Sequence, residues 1–346
     1  MPRELLNTLF VTQPDCFVRL EGETLQVERE GKKVLQVPAL HLGAVVLFGH
    51  AQMSSQAMAK CVSEGREVTF LDYSGRFRCR VVGPESGNVL LRAAQYDAYR
   101  SEEKSVAIAA AIVAAKIRNA RQTVMRGARD TNIEDIANAL RGAAAEMAGV
   151  VPLLRDCRTV DEARGLEGQA ASAYFGVFGL LISAPAAHFS FQFRTRRPPR
   201  DRVNALLSFL YALLTSDCVA AASGVGLDSQ FGYLHALRPG RPALALDLME
   251  EFRSCIVDRL ALNLINRRQL KAEHFNVRED AGGSVLLNDA GRRIVLEAYQ
   301  RRKQENVGHP FLKTTMPLGL VPHLQARLLA RHLRGDLAAY PPYLST

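Results

Sequence analysis

Apolar and polar positions alternate with a period of two along the first third of the chain, then switch to the longer period of helices. Cys16-Phe-Val-Arg-Leu20, Thr24-Leu-Gln-Val-Glu28, Lys33-Val-Leu-Gln-Val37, Ala44-Val-Val-Leu-Phe48 and Glu67-Val-Thr-Phe-Leu71 each predict a short strand, with Gly, Asp, Pro and Asn between them. Ser54 to Ser63 predicts a short helix. Arg76-Phe-Arg-Cys-Arg-Val-Val82 predicts a further strand, with Phe77, Cys79 and Val81 on one face and Arg76, Arg78 and Arg80 on the other. That arginine row suits either a solvated sheet face or a nucleic-acid contact.

A turn-rich stretch, Gly83-Pro-Glu-Ser-Gly-Asn88, closes this region. Beyond it, Ser105 to Met125 is Ala-rich and helical in period. Thr131-Asn-Ile-Glu134 and Thr159-Val-Asp-Glu162 have the spacing of capping boxes, in which a hydroxyl and a carboxylate satisfy the first free N–H groups of a helix. Apolar-periodic stretches cover Val203 to Ala222, Leu246 to Gln269, Ala290 to Glu305 and Leu318 to Leu337. The expected architecture is α+β: a small N-terminal β-domain over 1–83, a linker over 84–95 and a larger all-helical domain over 96–346.

Composition adds a charge argument. The chain has 346 residues and 48% hydrophobic content, enough for at least one full core. Its formal charge is +9, and most of the basic residues are arginines, whose planar fork suits phosphate. A basic surface draws polyanions by field and counterion release, although a solvated basic surface without a partner looks the same in composition. Cys16, Cys61, Cys79, Cys157, Cys218 and Cys255 form no C-x-x-C pair, so they read as buried thiols in a reducing compartment rather than a zinc site. The start of the chain lacks a secretory pattern, and Tyr174 to Phe189, the longest apolar candidate, is too short to span a bilayer. The expected location is the cytoplasm, with no membrane partner.

Candidate chemistry falls in a few places. Glu167 sits among Gly165, Gly168 and a run of Ala and Ser on an expected helix, where small neighbours allow close approach; a surface Glu beside a packing face is the plainer alternative. His235 follows Gly232-Tyr-Leu and precedes the Pro239-Gly240 turn, and could be an ordinary loop residue. Asp247 and Glu250 stand at i and i+3 after an apolar run, which puts two carboxylates on one helix face. Such a pair either holds a hard cation or simply favours a helix N-terminus. Arg194, Arg196, Arg197, Arg200 and Arg202 cluster in a Pro-stiffened loop before a helix, as a phosphate-binding loop or a solvated one. The sequence has no G-x-x-x-x-G-K-[ST] phosphate loop, no strand-helix G-x-G-x-x-G and no G-x-S-x-G elbow, so ATP is not expected as a fuel.

In this order and spacing, several runs resemble the CRISPR-associated endonuclease/integrase family of spacer acquisition. They are Val45-Val-Leu-Phe-Gly49, Val68 to Gly75, Asn88 to Tyr96, Lys116-Ile-Arg-Asn119, Glu167 to Phe175, Arg197-Pro-Pro-Arg-Asp-Arg-Val-Asn204 and Tyr233 to Arg253. The Asp247-Leu-Met-Glu-Glu-Phe-Arg253 string looks like the type I-C branch. The resemblance implies an N-terminal β-sandwich, a helical catalytic domain, a homodimer and a complex with the small second adaptation protein. It implies a Mn2+ or Mg2+ ion on Glu167, His235 and Glu250, with Asp247 as a further catalytic carboxylate. Many family members carry Asp at the position of Glu250, which leaves open which of Asp247, Glu250 and Glu251 touches the ion. The implied activity is attack of a DNA 3′-hydroxyl on a phosphodiester, inserting spacers into an array of repeats; double-stranded and branched DNA are the expected partners. Arg194, Arg196, Arg197 and Arg200 are expected to hold DNA, and Arg238 and Arg241 to neutralise the reacting phosphate. A branched-DNA repair nuclease on the same ion site, or a non-catalytic DNA-binding scaffold, are the alternatives.

Overall fold

The computed structural model describes residues 8–345 except 74, 76, 84–88, 186, 196–197 and 279–282. Arg76, most of the turn-rich stretch and the DNA-facing candidates Arg196 and Arg197 therefore lie outside the described residues. The chain begins with two four-stranded sheets and continues into helices. The first sheet has the order β1-β5-β7-β8, from Thr8–Val11, Ala44–Phe48, Glu67–Leu71 and Phe77–Val81. The second has the order β4-β3-β2-β6, from Lys32–Pro38, Thr24–Arg29, Cys16–Glu21 and Gln52–Met53. Leu9, Val11, Val45, Leu47 and Val68 from one sheet meet Val18, Leu25, Val27 and Met53 from the other in a shared sandwich core.

The Ala44-Val-Val-Leu-Phe48 run lacks alternation for a structural reason. Strand β5 lies between β1 and β7, parallel to both, and is covered on both faces. Val45 and Leu47 point into the sandwich, whereas Val46 and Phe48 join the helical core. There Phe48 stacks on Phe209 of helix α6, Arg202–Gly224, with ring centroids 5.9 Å apart. Gly75 makes this approach possible: its φ is +82°, and a Cβ there would stand 2.6 Å from the Phe209 ring.

Long helices follow: α2 Val89–Arg100, α3 Glu102–Asp130, α4 Glu134–Leu153, α5 Val160–Phe178, α6, α7 Ala243–Glu250, α8 Arg259–Asn266, α9 Asp289–Gln304 and α10 Val321–Leu333. Helix α1, Ser55–Ser63, belongs to the sandwich and is capped by the Ser54 hydroxyl. The Thr159 box forms as expected, with the Glu162 carboxylate returning to the Thr159 N–H. The Thr131 box does not form. Thr131 already caps the end of α3 through its N–H to Gly127, and its hydroxyl accepts from Ile133 instead.

Other differences from the sequence reading have simple causes. Residues 89–95 form the first turns of α2. The helical region also carries two antiparallel hairpins, β9 Phe275–Arg278 with β10 Ser284–Leu287, and β11 Asn306–His309 with β12 Thr314–Pro317. Their strands are four residues long, too short to show a period. Cys79 is exposed and Cys157 half-buried, so only the other four thiols are buried as expected. Helix α6 is long and apolar enough to cross a membrane, more so than the 174–189 run; two-thirds of its apolar window is buried inside the protein, where it serves as the central core helix.

Candidate active site

The site is assembled where α3, α5 and α7 converge. Helix α7 is followed by a π-helical run, Arg253–Asp258, which leads into α8. Wide turns of this kind recur at functional sites because they redirect side chains within a helix. Here the widened turn follows Glu250 and Glu251 directly. Ahead of α7 the chain makes a tight approach at Gly232, where a Cβ would stand 2.6 Å from the Ala243 carbonyl carbon and from Asp247 Oδ2. Only glycine lets residues 233–235 wrap over the start of α7.

That wrapping fixes His235. The fully buried Asp247 accepts from the backbone N–H groups of Tyr233, Leu234 and His235. Its Oδ1 also lies 2.7 Å from His235 Nδ1. A carboxylate at this distance requires the proton on Nδ1 and leaves the Nε2 lone pair free. Nε2 faces Glu250 Oε1 at 3.8 Å, too long for a hydrogen bond. Two donors that share one ion at roughly 2.1 Å each stand about 3–4 Å apart, so this spacing fits a common cation.

Glu250 is almost fully buried. Its Oε1 accepts from Arg253 Nη1 at 2.8 Å, and its Oε2 lies 2.6 Å from Lys116 Nζ of α3. That second contact is ionic, because Oε2 has no aligned hydrogen-bond donor. Lys116 Nζ also donates to Glu167 Oε1 on α5. Burial alone would raise the Glu250 carboxyl, but Arg253 and Lys116 outweigh it and hold it well below the usual carboxylate range. Among the described residues no three His, Cys, Asp or Glu side chains converge within ligand reach of one point. The Lys116 ammonium stands between Glu167 and Glu250 instead. Two carboxylates and one imidazole nitrogen are nonetheless the hard donor set that suits Mg2+ or Mn2+.

The neighbouring carboxylates have other duties. Glu251 turns away from the cleft and is fully buried. It accepts from the Tyr340 hydroxyl, the Tyr343 N–H and Gln325 Nε2. Burial pushes its carboxyl up to about 7, against the pull of those three donors. Asn119, one turn beyond Lys116, donates to the Glu251 and Tyr343 carbonyls and accepts from the Ser345 N–H. Segment 340–345 thus ties α3 to the end of α7. Asp258 accepts from the Tyr174 and Tyr211 hydroxyls, and burial raises its carboxyl. The Arg253 guanidinium lies 4.3 Å from the Tyr211 ring centroid, which props it toward Glu250.

The structure brings Glu167, His235, Asp247 and Glu250 into one cluster. It treats the arginines unequally. Arg194 is turned inward, donating to Asn204 Oδ1 at 2.6 Å and Ser208 Oγ at 3.0 Å, and lies over Tyr211. Its guanidinium holds its own loop against α6. Arg200 and Arg238 are exposed and Arg241 is half-buried. Gly165 and Gly168 are exposed too, and a Cβ at either would meet nothing within 4 Å, so the helix face beside Glu167 is open rather than packed. Sequence reasoning missed Lys116 as a site residue, and Arg253 with it. Arg253 follows Glu250 at i+3, a spacing that signals an ion pair; Lys116 gives no such local signal.

Similarity to known proteins agrees with this geometry. The fold is that of a CAS1 protein from Thermotoga maritima, which superposes with a TM-score of 0.80, at 23% identity, over 95% of this chain and 97% of that one. A chain of a Cas6-RT-Cas1–Cas2 complex gives 0.80 at 26% identity, covering 98% of this chain and 36% of that one. A curated Cas1 endonuclease of Moorella thermoacetica is 51% identical over 98% of both chains, and one of Rhodospirillum rubrum 50% identical over 99% of both. The family model for the CRISPR associated protein Cas1 matches residues 9–301, and the chain belongs to that family.

Proposed function

We propose that this protein is a metal-dependent DNA endonuclease and integrase of CRISPR adaptation, with Glu167, His235 and Glu250 holding a Mn2+ or Mg2+ ion. The observation that carries the reading is the Glu250 carboxylate, buried yet kept ionised, with His235 Nε2 turned toward it and Glu167 joined to it through Lys116. Relatives of about half identity over their full length are named endonucleases, which supports the nuclease activity.

Bound there, a divalent cation would polarise a phosphoryl oxygen and lower the pKa of an attacking 3′-hydroxyl or water. The chain's own residues supply the rest. Asp247 keeps the proton on His235 Nδ1. Arg253, propped by Tyr211, neutralises Glu250 and fixes its rotamer. The open face at Gly165 and Gly168 admits a DNA backbone beside Glu167. Exposed Arg200 and Arg238, with Arg241, contact DNA phosphates; Arg196 and Arg197, close to Arg200 in sequence, are proposed to do the same.

On this reading, residues 1–83 form a β-domain, 84–95 a linker and 96–346 the catalytic domain. The protein works in the cytoplasm as a homodimer, of the type I-C branch, with the small second adaptation protein as partner. The likeness to a chain of a Cas1–Cas2 complex supports that partner. The exposed edge strand β4, with Val34 and Leu35 half in solvent, offers an apolar edge for a second copy.

The test is strand transfer on a branched DNA substrate with Mn2+. Wild-type protein should yield joined product, and both His235→Ala and a chelator should abolish it. Joining that survives His235→Ala would move the site elsewhere. Cutting that never leads to joining, even with the partner protein present, would favour a repair nuclease.

A further inference from the structure

The geometry points to a further role for Lys116: its ammonium is the resident counter-cation of the Glu167–Glu250 pair, joining the carboxylates before a divalent ion enters and leaving the cleft when one does. This rests on the metal-site reading above.

The argument is one of space and charge. Glu167 and Glu250 come from different helices, and both approach the same point on Lys116. Arg253 neutralises Glu250 from the Oε1 side only. Without a cation on the other side, two carboxylates in a water-poor cleft repel, with an energy that grows as the effective dielectric falls. The ammonium lies within hydrogen-bond distance of both, and an ion held at about 2.1 Å by the same two carboxylates would need the same few ångströms. Two cations cannot share that space.

The lysine is the mobile partner. Its side chain keeps 15% of its exposure, against 3% for Glu250, and its four-carbon stem swings without disturbing α3. Arg253, by contrast, is clamped between Glu250 and the Tyr211 ring. A small cavity lined by Lys116, Ala120, Met147, Glu167 and Tyr174 lies beside the Lys116–Glu167 pair. The lysine therefore holds the ligand pair together, and it also competes with the incoming ion.

Mn2+ titration by calorimetry, with wild type, Lys116→Met and Lys116→Arg, tests this. Lys116→Met should bind Mn2+ about tenfold tighter or more, because the competing charge is gone. Lys116→Arg should stay near wild type. In chelator Lys116→Met should melt below wild type, and Mn2+ should raise its midpoint by more than it raises that of wild type. If Lys116→Met does not fold in chelator, Lys116→Gln is read in the same way. A neutral variant that binds Mn2+ no tighter than a wild type that does bind it overturns the lysine role alone. A wild type that binds neither Mn2+ nor Mg2+ overturns the metal-site reading, and this role with it.

Discussion

His235 is held by Asp247 through a 2.7 Å contact between Nδ1 and Oδ1, and the same carboxylate accepts three consecutive backbone N–H groups. The loop and the imidazole are thus set by one buried side chain. Replacing it isosterically separates orientation from ligation. In Asp247→Asn the amide must point an NH2 group at either the imidazole or the backbone donors. Strand transfer or cleavage should fall about 10–100-fold, the usual cost of losing such an orienting partner, with the protein still folded by circular dichroism. A variant as active as wild type would mean that His235 is oriented by something else.

The arginines divide into two groups that a salt titration distinguishes. Arg200→Ala and Arg238→Ala should each weaken binding to duplex DNA and reduce the slope of log K against log salt by about one. Arg194→Ala should leave that slope unchanged and lower the thermal midpoint instead, since Arg194 bonds Asn204 and Ser208. A slope change in the Arg194 variant, or none in the other two, would overturn this division.

Glu67 gives a pH-dependent prediction. Burial, the largest effect, and the nearby Asp217 push its carboxyl up to about 7 from an ordinary value of 4.5, against the Thr69 hydroxyl, Arg80 and Lys303. A carboxyl raised on folding binds its proton more tightly in the native state. Its stabilising effect is complete below about pH 4.5 and is lost as pH climbs to about 7. Glu67→Gln removes the charge while keeping an oxygen for Thr69. It should leave stability near pH 4.5 unchanged and add on the order of 1 kcal/mol at pH 8, discounted because Glu67 is only half-buried at the start of β7. Equal effects at both pH values in denaturant unfolding would count against it.

Glu251 gives a stability prediction close to the site. Tyr340→Phe removes one of the three donors to a carboxylate with no access to water. The cost should be about 1–3 kcal/mol, read as a lowered unfolding midpoint, with the Mn2+ affinity of the remaining folded protein little changed. A stability equal to wild type would show that the hydroxyl is dispensable there.

These cases also mark what a sequence reading reaches. Strand β2 and helices such as α3 and α10 were legible because each has one buried face, and a buried face imposes a period; β5, covered on both faces, was legible as a short apolar run. The loop-borne His235 and the i, i+3 pair Asp247 and Glu250 were legible as candidates because their spacing was local, and the family resemblance joined them to Glu167. Lys116 and Asn119 were not legible in this way. They stand on α3 among ordinary helical residues, and their roles exist only once α5, α7 and segment 340–345 are docked against that helix. The short hairpins of the helical region were hidden for a different reason, since four residues cannot establish a pattern. Arg194 was singled out by its place in an arginine-rich loop, and its inward bonds to Asn204 and Ser208 exist only once that loop is docked on α6.

Segment 340–345 crosses behind the cleft and supplies two of the three groups that satisfy Glu251, besides bonding Asn119 of α3. Until that stretch has been synthesised and docked, the α3 and α7 faces that carry Lys116 and Glu250 lack one of their fastenings, the others being the Lys116–Glu250 pair and the Asn119 bond to the Glu251 carbonyl. The cleft thus depends on contacts between distant parts of the chain, which form late in folding. A polypeptide still being made would carry the candidate site residues on faces not yet fully joined. Chains arrested before Tyr340 should neither cut DNA nor bind Mn2+ in the arrested state, and cutting by such chains would contradict this ordering.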